Sequence, residues 1–129
     1  MDRCFPFRKY FIRINGSERR VVLIPVDISE HSERAFLWYI KHSKKRNDYV
    51  VVYFAYEEEF FSSKYQETHS LQDHIDRELE ALQNKYVFYL KNAKLNGQFV
   101  SSVSKNPGDS IIDLSVKMGA DYIVMGSRG

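Results

Sequence analysis

The apolar residues of this chain fall into short, almost continuous runs separated by longer segments with helical spacing. Runs rich in valine and isoleucine are typical of parallel strands whose two faces are both covered by helices. We predict four such strands, at residues 21–26, 49–55, 98–103 and 121–125. Between them, apolar positions recur every three or four residues, which predicts helices at about 29–44, 71–96 and 107–118.

Capping residues set the predicted helix boundaries. Ser29 is the predicted N-cap of the first helix, and residues 70–73 resemble a capping box with aspartate in place of the usual glutamate. Asn96 and Gly97 are predicted to end the second helix, and Gly119 the third, because these residue types tolerate the left-handed conformation found at helix C-termini. Strands and helices therefore alternate as β-α-β-α-β-α-β.

This alternation predicts an α/β fold with a doubly wound parallel sheet, since right-handed crossovers place helices on both faces. Ligands in such sheets bind beyond the carboxyl ends of the strands, where the winding reverses. Asp27 follows the first strand, Ala55 closes the second and Gly126 follows the fourth. We therefore expect a crevice with a carboxylate on one wall and bare backbone N–H groups on the other.

A Gly-x-x-Gly sequence, Gly126-Ser127-Arg128-Gly129, follows the last apolar run. Two glycines leave the backbone free of side chains, so that a phosphate can approach its N–H groups. An adenosine nucleotide fits this layout, with Asp27 accepting a hydrogen bond from a ribose hydroxyl. Two alternatives stay open: the glycines form a tight turn only, and Asp27 only caps the helix that follows.

Two segments carry a resemblance to a known family. Residues 20–36, RVVLIPVDISEHSERAF, resemble the first strand and turn of the universal stress proteins. Residues 119–129, GADYIVMGSRG, look like their final strand and the start of their ATP loop. The sequence at 106–108 is similar to the lead-in to their third helix. The resemblance spans 20–129 with all elements in order.

This resemblance implies a five-stranded, Rossmann-like α/β sandwich of the adenine-nucleotide α-hydrolase kind, often dimeric, in cytoplasmic proteins of the stress response. Many members bind ATP or AMP through a loop that reads Gly-x-x-Gly, nine residues, then Gly-Ser/Thr. Carried over by position, the cofactor-binding residues would be Pro25, Val26, Asp27, Ala55, Met125, Gly126, Arg128 and Gly129. Pro25 and Val26 would flank the adenine. Asp27 would hold the ribose and Ala55 would line the base pocket, and the last four would begin the phosphate cradle.

The chain departs from the family pattern in two places. Ile28 stands where many members have glycine, and a β-branched residue resists positive φ, so we expect a right-handed or relaxed turn. The second half of the phosphate loop, the last helix and the fifth strand are missing, so we expect a C-terminally truncated domain with four of the five strands. Weaker ATP binding, a weakened homodimer and a bare edge on the fourth strand are the expected consequences.

We predict a domain boundary at residue 20. Residues 1–19 are assigned to an N-terminal extension and residues 20–129 to the universal stress protein domain. Residues 9–14 alternate well enough to be a strand and are followed by a hairpin-type turn at Asn15 and Gly16. If it is a strand, this arm would cover the bare edge of the fourth strand. Of the two interpretations we favour a loosely ordered tail.

Composition narrows the functional classes. The chain has 129 residues, of which 43% are hydrophobic and 28% charged, as in an ordinary globular domain. A net charge of +2 is too small to indicate binding to nucleic acid or to an anionic membrane. No apolar stretch is long enough to span a bilayer. Cys4 is the only cysteine, which fits a reducing compartment, and we expect a cytoplasmic protein.

Candidate catalytic and metal sites are not found in the sequence. The histidines at 31, 42, 69 and 74 lack metal-ligand spacing, and Ser127 lacks the Gly-x-Ser-x-Gly elbow of a nucleophile. We therefore predict no catalytic residue and no metal site, and we predict that the protein is not an enzyme. Weak ATP hydrolysis and a requirement for Mg²⁺ stay open. An ATP pyrophosphatase would carry a Ser-Gly-Gly loop after the first strand, where Asp27 and Ile28 stand.

Two functions remain. The first is a universal-stress-type protein that binds ATP or AMP as a sensor or regulator of the stress response. The alternative is an interaction module of the same fold with an incomplete phosphate loop that binds no nucleotide. Binding of an adenine nucleotide distinguishes the two.

Overall fold

Strands and helices alternate along the chain as the apolar pattern predicts. The computed structural model describes residues 2–6, 19–57 and 71–126. Its elements are β1 (Asp2–Pro6), β2 (Arg20–Pro25), α1 (Glu30–His42), β3 (Asp48–Tyr56), α2 (Leu71–Asn92), β4 (Asn96–Val103), α3 (Pro107–Met118) and β5 (Tyr122–Gly126). The predicted α/β class and the four predicted parallel strands are confirmed. The residue before α2, Ser70 of the predicted capping box, lies outside the described residues.

The sheet has the strand order β1-β5-β2-β3-β4. β2 runs parallel to β3, with Arg20 opposite Asp48, and parallel to β5, with Val22 opposite Tyr122. β4 runs parallel to β3. The chain thus winds from β2 to β3 and β4, and then crosses back to the other side of β2. The winding reverses between β2 and β5, which is where such sheets bind ligands.

The outer side of β5 is covered by the N-terminal strand β1. The two strands pair antiparallel, from Asp2 opposite Gly126 to Pro6 opposite Tyr122. The expected bare edge on β5 is therefore wrong, and so is the expected loose tail as far as residues 2–6 are concerned. The predicted strand at 9–14 and the turn after it lie outside the described residues. The division of the chain at residue 20 stays a prediction.

The core lies on both faces of the sheet, because successive residues of the central strands point to opposite sides. One layer packs under α1 and α2 and consists of Val22, Ile24, Val26, Phe36, Tyr39, Val50, Val52, Phe54, Ile75, Leu82, Tyr86, Leu90 and Val124. The other packs under α3 and includes Leu23, Val51, Tyr53, Ala120 and Ile123. Burial on both faces explains why β2 and β3 read as continuous apolar runs. No helix within the described ranges is both long and apolar enough to cross a bilayer.

Two of the predicted caps are confirmed. Ser29 is the N-cap of α1, with its side chain accepting from the Ser32 N–H group. Gly119 ends α3 in the left-handed conformation at φ 65°. Its N–H group and that of Ala120 donate to carbonyls in the last turn of the helix. In this position glycine avoids the steric cost that a Cβ atom would bring.

The predicted cap at Asn96 and Gly97 is wrong. Helix α2 ends at Asn92, and both residues belong to β4. The left-handed residue after α2 is Lys94, at φ 58°. Its N–H group donates to the Lys91 carbonyl at 3.1 Å, and the next N–H group donates to the Leu90 carbonyl at 3.0 Å. This is the hydrogen-bond pattern of a Schellman motif, formed here around a lysine.

Candidate functional site

A cleft of about 290 Å³ opens at the carboxyl edge of the sheet, between the ends of β2, β3 and β5. It lies where the winding reverses, and its volume is just below the usual range of about 300–1,000 Å³ for ligand pockets. Its lining residues are Pro25, Val26, Asp27, Ser29, His31, Ser32, Tyr53, Ala55, Pro107, Ile111, Met125 and Gly126.

Six of the eight residues predicted from the sequence line this cleft. They are Pro25, Val26, Asp27, Ala55, Met125 and Gly126. The other two, Arg128 and Gly129, lie outside the described residues. The structure thus brings the described candidates together, and their roles toward a ligand stay predictions.

Asp27 is held in place by the turn that leads into α1. Its Oδ1 atom accepts from the Ser29 N–H group at 2.7 Å, and its own N–H group donates to Ser32 Oγ at 3.0 Å. Ser32 Oγ also lies 3.2 Å from Asp27 Oδ1. The carboxylate therefore has a structural role in starting the helix and a fixed position on the wall of the cleft. Both interpretations of Asp27 offered by the sequence are compatible with this geometry.

The turn after Asp27 contains no left-handed residue. Lys94 is the single non-glycine residue with positive φ within the described part of the chain, so Ile28 stays in the right-handed half of conformational space. The expectation drawn from its β-branched side chain is confirmed. Ile28 is exposed and does not line the cleft.

Several lining residues were missed by sequence reasoning. Tyr53 lies two residues before Ala55 and points to the same face of β3, a relation that the period of a strand would have revealed. Pro107 and Ile111 belong to the first turns of α3. Because a crossover helix begins at the carboxyl edge of the sheet, the N-terminus of α3 reaches the same crevice. Ser32 and His31 follow by the same argument from α1.

Two helix N-termini therefore border the cleft. The Ser29 hydroxyl accepts from Ser32 N–H in α1, and the Asn106 side chain accepts from Asp109 N–H at 3.3 Å in α3. The N-terminal ends of helices carry a partial positive charge, which favours an anion. The Asp27 carboxylate supplies negative charge and hydrogen-bond acceptors on the neighbouring wall. The cleft thus offers different chemistry to the phosphate and to the hydroxyl groups of a ligand.

Beneath the start of α1 lies the buried side chain of Tyr86, which is fully enclosed in the core. Burial raises the pKa of Tyr86 to about 12, against a smaller opposing effect of the Ser32 hydroxyl. Its hydroxyl has no hydrogen-bond partner of acceptable geometry within the described ranges. At neutral pH this phenol is uncharged, and it is not among the residues that line the cleft.

Gly126 has a packing role that is independent of any ligand. A Cβ atom on this residue would lie 2.7 Å from the His31 carbonyl oxygen and 3.0 Å from its carbon. The end of β5 therefore approaches the first turn of α1 too closely for a side chain. The glycine has to be retained for this contact even if no phosphate binds.

We expect Gly126→Ala to lower the free energy of unfolding by about 1–3 kcal/mol, because α1 and β5 have to move apart. Gly108→Ala is the matched control, since a Cβ atom there would meet nothing nearer than Asn106 Oδ1 at 3.6 Å. That substitution should be neutral or stabilise by up to about 1 kcal/mol in helix α3. Urea unfolding of the two variants checks this. Equal stability of Gly126→Ala and the unmodified chain would contradict the close packing.

The amino-acid sequence of the chain matches a model of a known protein family. The Usp model, which describes the universal stress protein family, matches residues 18–129. The chain belongs to the universal stress protein family. A search of the curated proteins found no match. The resemblance drawn from residues 20–36 and 119–129 is confirmed.

Solved structures of this fold lie at low sequence identity. Hypothetical protein MJ0577 superposes with a TM-score of 0.69 at 21% identity, covering 85% of this chain and 76% of that chain. A universal stress protein family protein from Arabidopsis thaliana, solved with AMP bound, has a TM-score of 0.63 at 18% identity, covering 85% and 77%. UspA from Lactobacillus plantarum gives 0.63 at 16%, covering 85% and 80%. At these identities the likeness establishes the fold.

No metal-binding cluster accompanies the cleft in the described ranges. Within them, no group of three or more histidine, cysteine, aspartate or glutamate side chains is placed to hold a metal ion. The cleft itself offers a carboxylate, hydroxyl groups, the histidine at position 31, two helix N-termini and an apolar wall.

Proposed function

We propose that this universal stress protein binds an adenine nucleotide, AMP or ATP, in the cleft at the carboxyl edge of the sheet, and acts as a cytoplasmic sensor or regulator of the stress response. Function by binding, without catalytic turnover, is part of the proposal. The observation that carries it is the convergence of six sequence-predicted residues on one cleft at the point where the winding reverses. The AMP-bound Arabidopsis protein of the same fold supports it.

Each part of a nucleotide has a counterpart in the cleft. Val26, Ala55 and Ile111 form an apolar wall that suits a purine ring. The Asp27 carboxylate, positioned by Ser29 N–H, accepts hydrogen bonds from the ribose hydroxyl groups. The N-termini of α1 and α3 favour the phosphate through their partial positive charge.

The experiment that tests the proposal separates the ribose contact from overall binding. Calorimetric titration compares adenosine with 2′,3′-dideoxyadenosine, against the unmodified chain and against Asp27→Asn. A hydrogen bond to a charged group contributes about 1.5–3 kcal/mol, so the unmodified chain should bind adenosine at least about tenfold more tightly than the dideoxy analogue. Asp27→Asn, which keeps an acceptor for Ser29 N–H but loses the charge, should show a smaller difference between the two nucleosides. Asp27→Ala, which removes both acceptors, should weaken adenosine binding about tenfold or more and bind the two nucleosides alike.

A second pair of variants controls for the apolar wall. Ala55→Met extends into the cleft and should weaken AMP binding by about tenfold or more, because it occupies the space of the base. Ala81→Met adds the same side chain to an exposed position of α2, away from the cleft, and should leave binding unchanged. Equal affinity of all three proteins would move the nucleotide to another site and contradict the proposal.

The second candidate function is an interaction module of the same fold that binds no nucleotide. It is favoured by the local hydrogen bonds that polar groups in and beside the cleft already make. Asp27 Oδ1 accepts from Ser29 N–H, the Ser29 hydroxyl from Ser32 N–H, and the Asn106 side chain from Asp109 N–H. Absence of heat and of a thermal shift at saturating AMP and ATP would support this function over the first.

A further inference from the structure

The charged residues of this chain are distributed unevenly between the two edges of the sheet. Each helix runs back antiparallel to the strands, so the helix C-termini and the starts of the parallel strands share the amino edge, opposite the cleft. They lie in the last turns of α1, α2 and α3 and in the segments before β2, β3 and β4. The exposed cations at this edge, which we call the basic face, are Arg19, Lys41, Lys44, Lys45, Arg46, Lys91, Lys94 and Lys117.

Acidic residues do not offset these charges. Within the described ranges the acidic residues of the amino edge are Asp48 and Asp121, which are 2% and 7% exposed. Asp48 pairs with Arg20, and Asp121 Oδ2 accepts from Val21 N–H at 2.8 Å. At the carboxyl edge the first turns of the helices carry the acidic residues Glu30, Glu33, Asp73 and Asp109. The net charge of +2 for the whole chain thus conceals one basic edge and one acidic edge.

Part of the basic face has an ordinary structural explanation. Cations in the last turn of a helix, as at Lys41, Lys91 and Lys117, interact favourably with the helix dipole. Lys44 donates to the Ala93 carbonyl at 3.0 Å and so satisfies a backbone group just after α2. Neither reason applies to the remaining cations, which lie outside the helices and are Arg19, Lys45, Arg46 and Lys94.

Lys94 stands at a position that suits a different residue type. Its φ of 58° is in the left-handed region, which glycine adopts freely and in which a lysine side chain carries a steric cost. Non-glycine residues in this conformation are concentrated at functional sites. A lysine that stands there in spite of the cost indicates a use for its charge.

Arg19 is oriented by an aromatic ring. Its guanidinium carbon lies 4.2 Å from the centroid of the Tyr49 ring. Such a contact holds the planar guanidinium group over the ring and leaves the N–H groups at its rim to bind an oxyanion. Arginine held in this way suits a bidentate contact with a phosphate.

The width of the basic face fits a nucleic-acid backbone. Neighbouring strands lie about 4.8 Å apart, so the starts of β5, β2, β3 and β4 span about 14 Å. A duplex carries one negative charge per about 1.7 Å of its axis, so a face of this width spans several phosphates.

An anionic membrane fits the basic face less well. Surface binding to a bilayer combines cations with apolar side chains that enter the acyl boundary. The segments that lead from a helix to the next strand contain none of the exposed large apolar residues of the described ranges, which are Ile28, Leu37, Phe88, Val103, Ile112, Val116 and Met125.

We propose that the basic face binds the phosphate backbone of a nucleic-acid duplex, without preference for its sequence. Its lysines and arginines contact phosphates and release their counterions. Contacts to phosphates position a protein on a duplex and carry no sequence information directly. The cleft lies at the opposite edge of the sheet, so the binding of a duplex is independent of the proposed nucleotide binding.

Fluorescence anisotropy of a labelled DNA duplex of about 20 base pairs tests the proposal. The 129-residue chain should bind at about 50 mM salt, and the logarithm of the binding constant should fall linearly with the logarithm of the salt concentration. Lys45→Gln/Lys94→Gln, which removes one cation from each of two loops, should lower the magnitude of this slope by about two. It should also weaken binding at about 0.1 M salt about tenfold.

The matched control is Arg77→Gln/Lys105→Gln. It lowers the net charge by the same amount at exposed positions away from the basic face, and it should leave the slope unchanged. Equal losses in the two double variants would show an effect of net charge alone and overturn the proposal. So would a chain that does not bind the duplex at low salt.

Lys94→Gly separates a loss of binding from a loss of folding. Because glycine adopts the left-handed conformation freely, this variant should unfold at a higher urea concentration than the unmodified chain. It also lacks one cation of the basic face, so its affinity for the duplex should fall about fivefold. Stability and affinity should thus change in opposite directions, and an unchanged affinity would contradict the proposal.

Other sites and partners are tested with the same chain. A second duplex of unrelated sequence should bind with equal affinity, and saturating AMP should displace neither duplex. Vesicles of equal parts phosphatidylcholine and phosphatidylserine should bind more weakly than the duplex at the same salt concentration. A strong preference for one sequence, displacement by AMP, or tighter binding to the vesicles overturns the proposal.

Discussion

Replacing Asp48 with asparagine should lower the free energy of unfolding by about 3–5 kcal/mol, the range found when one partner of a buried ion pair is removed. Asp48 begins β3 and is 2% exposed. Its carboxylate accepts from Arg20 Nε at 2.8 Å and Nη2 at 2.7 Å. It also accepts from the Tyr39 hydroxyl and from Lys45 N–H. One side chain thus joins β2, α1 and β3 at the amino edge of the sheet.

The pH dependence of this effect follows from the pKa of Asp48. Burial raises this pKa, but the hydrogen bonds from Arg20 and Tyr39 outweigh burial and hold it below its ordinary value. A carboxyl whose pKa is lower in the folded state makes its full contribution to the stability of the fold at pH values above its unfolded pKa of about 3.9. This stabilisation is lost as the pH falls through the folded pKa. The difference in stability between the unmodified chain and Asp48→Asn should therefore narrow below about pH 4.

Urea unfolding at neutral and acidic pH measures both quantities. The matched control is Asp113→Asn, an exposed aspartate of α3, whose replacement should change stability by no more than about 0.5 kcal/mol. If Asp48→Asn loses no more stability than Asp113→Asn at neutral pH, the network does not hold the edge of the sheet together.

The parallel sheet and most of the cleft could be predicted because their signals are local. Residues 21–26 and 49–55 are apolar at successive positions, which requires both faces to be covered. Once the strands are parallel, their carboxyl ends meet at one edge, so Asp27, Ala55 and Gly126 have to converge. This convergence needs no knowledge of side-chain packing.

Strand β1 could not be predicted in this way. Its sequence, with Asp2, Arg3 and Pro6 among five residues, has neither the alternation nor the composition of a strand. The strand forms because β5, more than a hundred residues away in sequence, presents an edge with unpaired backbone groups. What determines this strand is its partner, β5, and the topology of the sheet. The periodicity of a single segment contains no information on either.

The role of Gly97 was also hidden from the sequence, where Asn-Gly after a helical segment indicates a C-cap. Lys94 takes the left-handed position instead, at a cost that Leu95 helps to offset by donating to the Leu90 carbonyl. Gly97 lies three residues later, opposite Val50 in the β3–β4 ladder. Lys94 is thus constrained in its backbone angle φ, and Gly97, three residues later, is constrained by the lack of space for a side chain.

These two constraints predict opposite effects for two substitutions. Gly97→Ala should lower the free energy of unfolding by about 3 kcal/mol, since a Cβ atom would lie 2.2 Å from the Val50 carbonyl oxygen and 3.1 Å from its carbon. Those are backbone atoms of a central strand, so relief requires β4 to move away from β3. Lys94→Gly should raise stability by about 1 kcal/mol, because glycine adopts a φ of 58° without the steric cost of a side chain.

Urea unfolding of both variants distinguishes the structural assignment from the sequence-based one. If Gly97 capped α2, Gly97→Ala would cost only about 1 kcal/mol, and Lys94→Gly would place a flexible residue within the last helical turn and destabilise. That result would contradict the register of β4. A large loss at Gly97 with a gain at Lys94 places the end of α2 at Asn92.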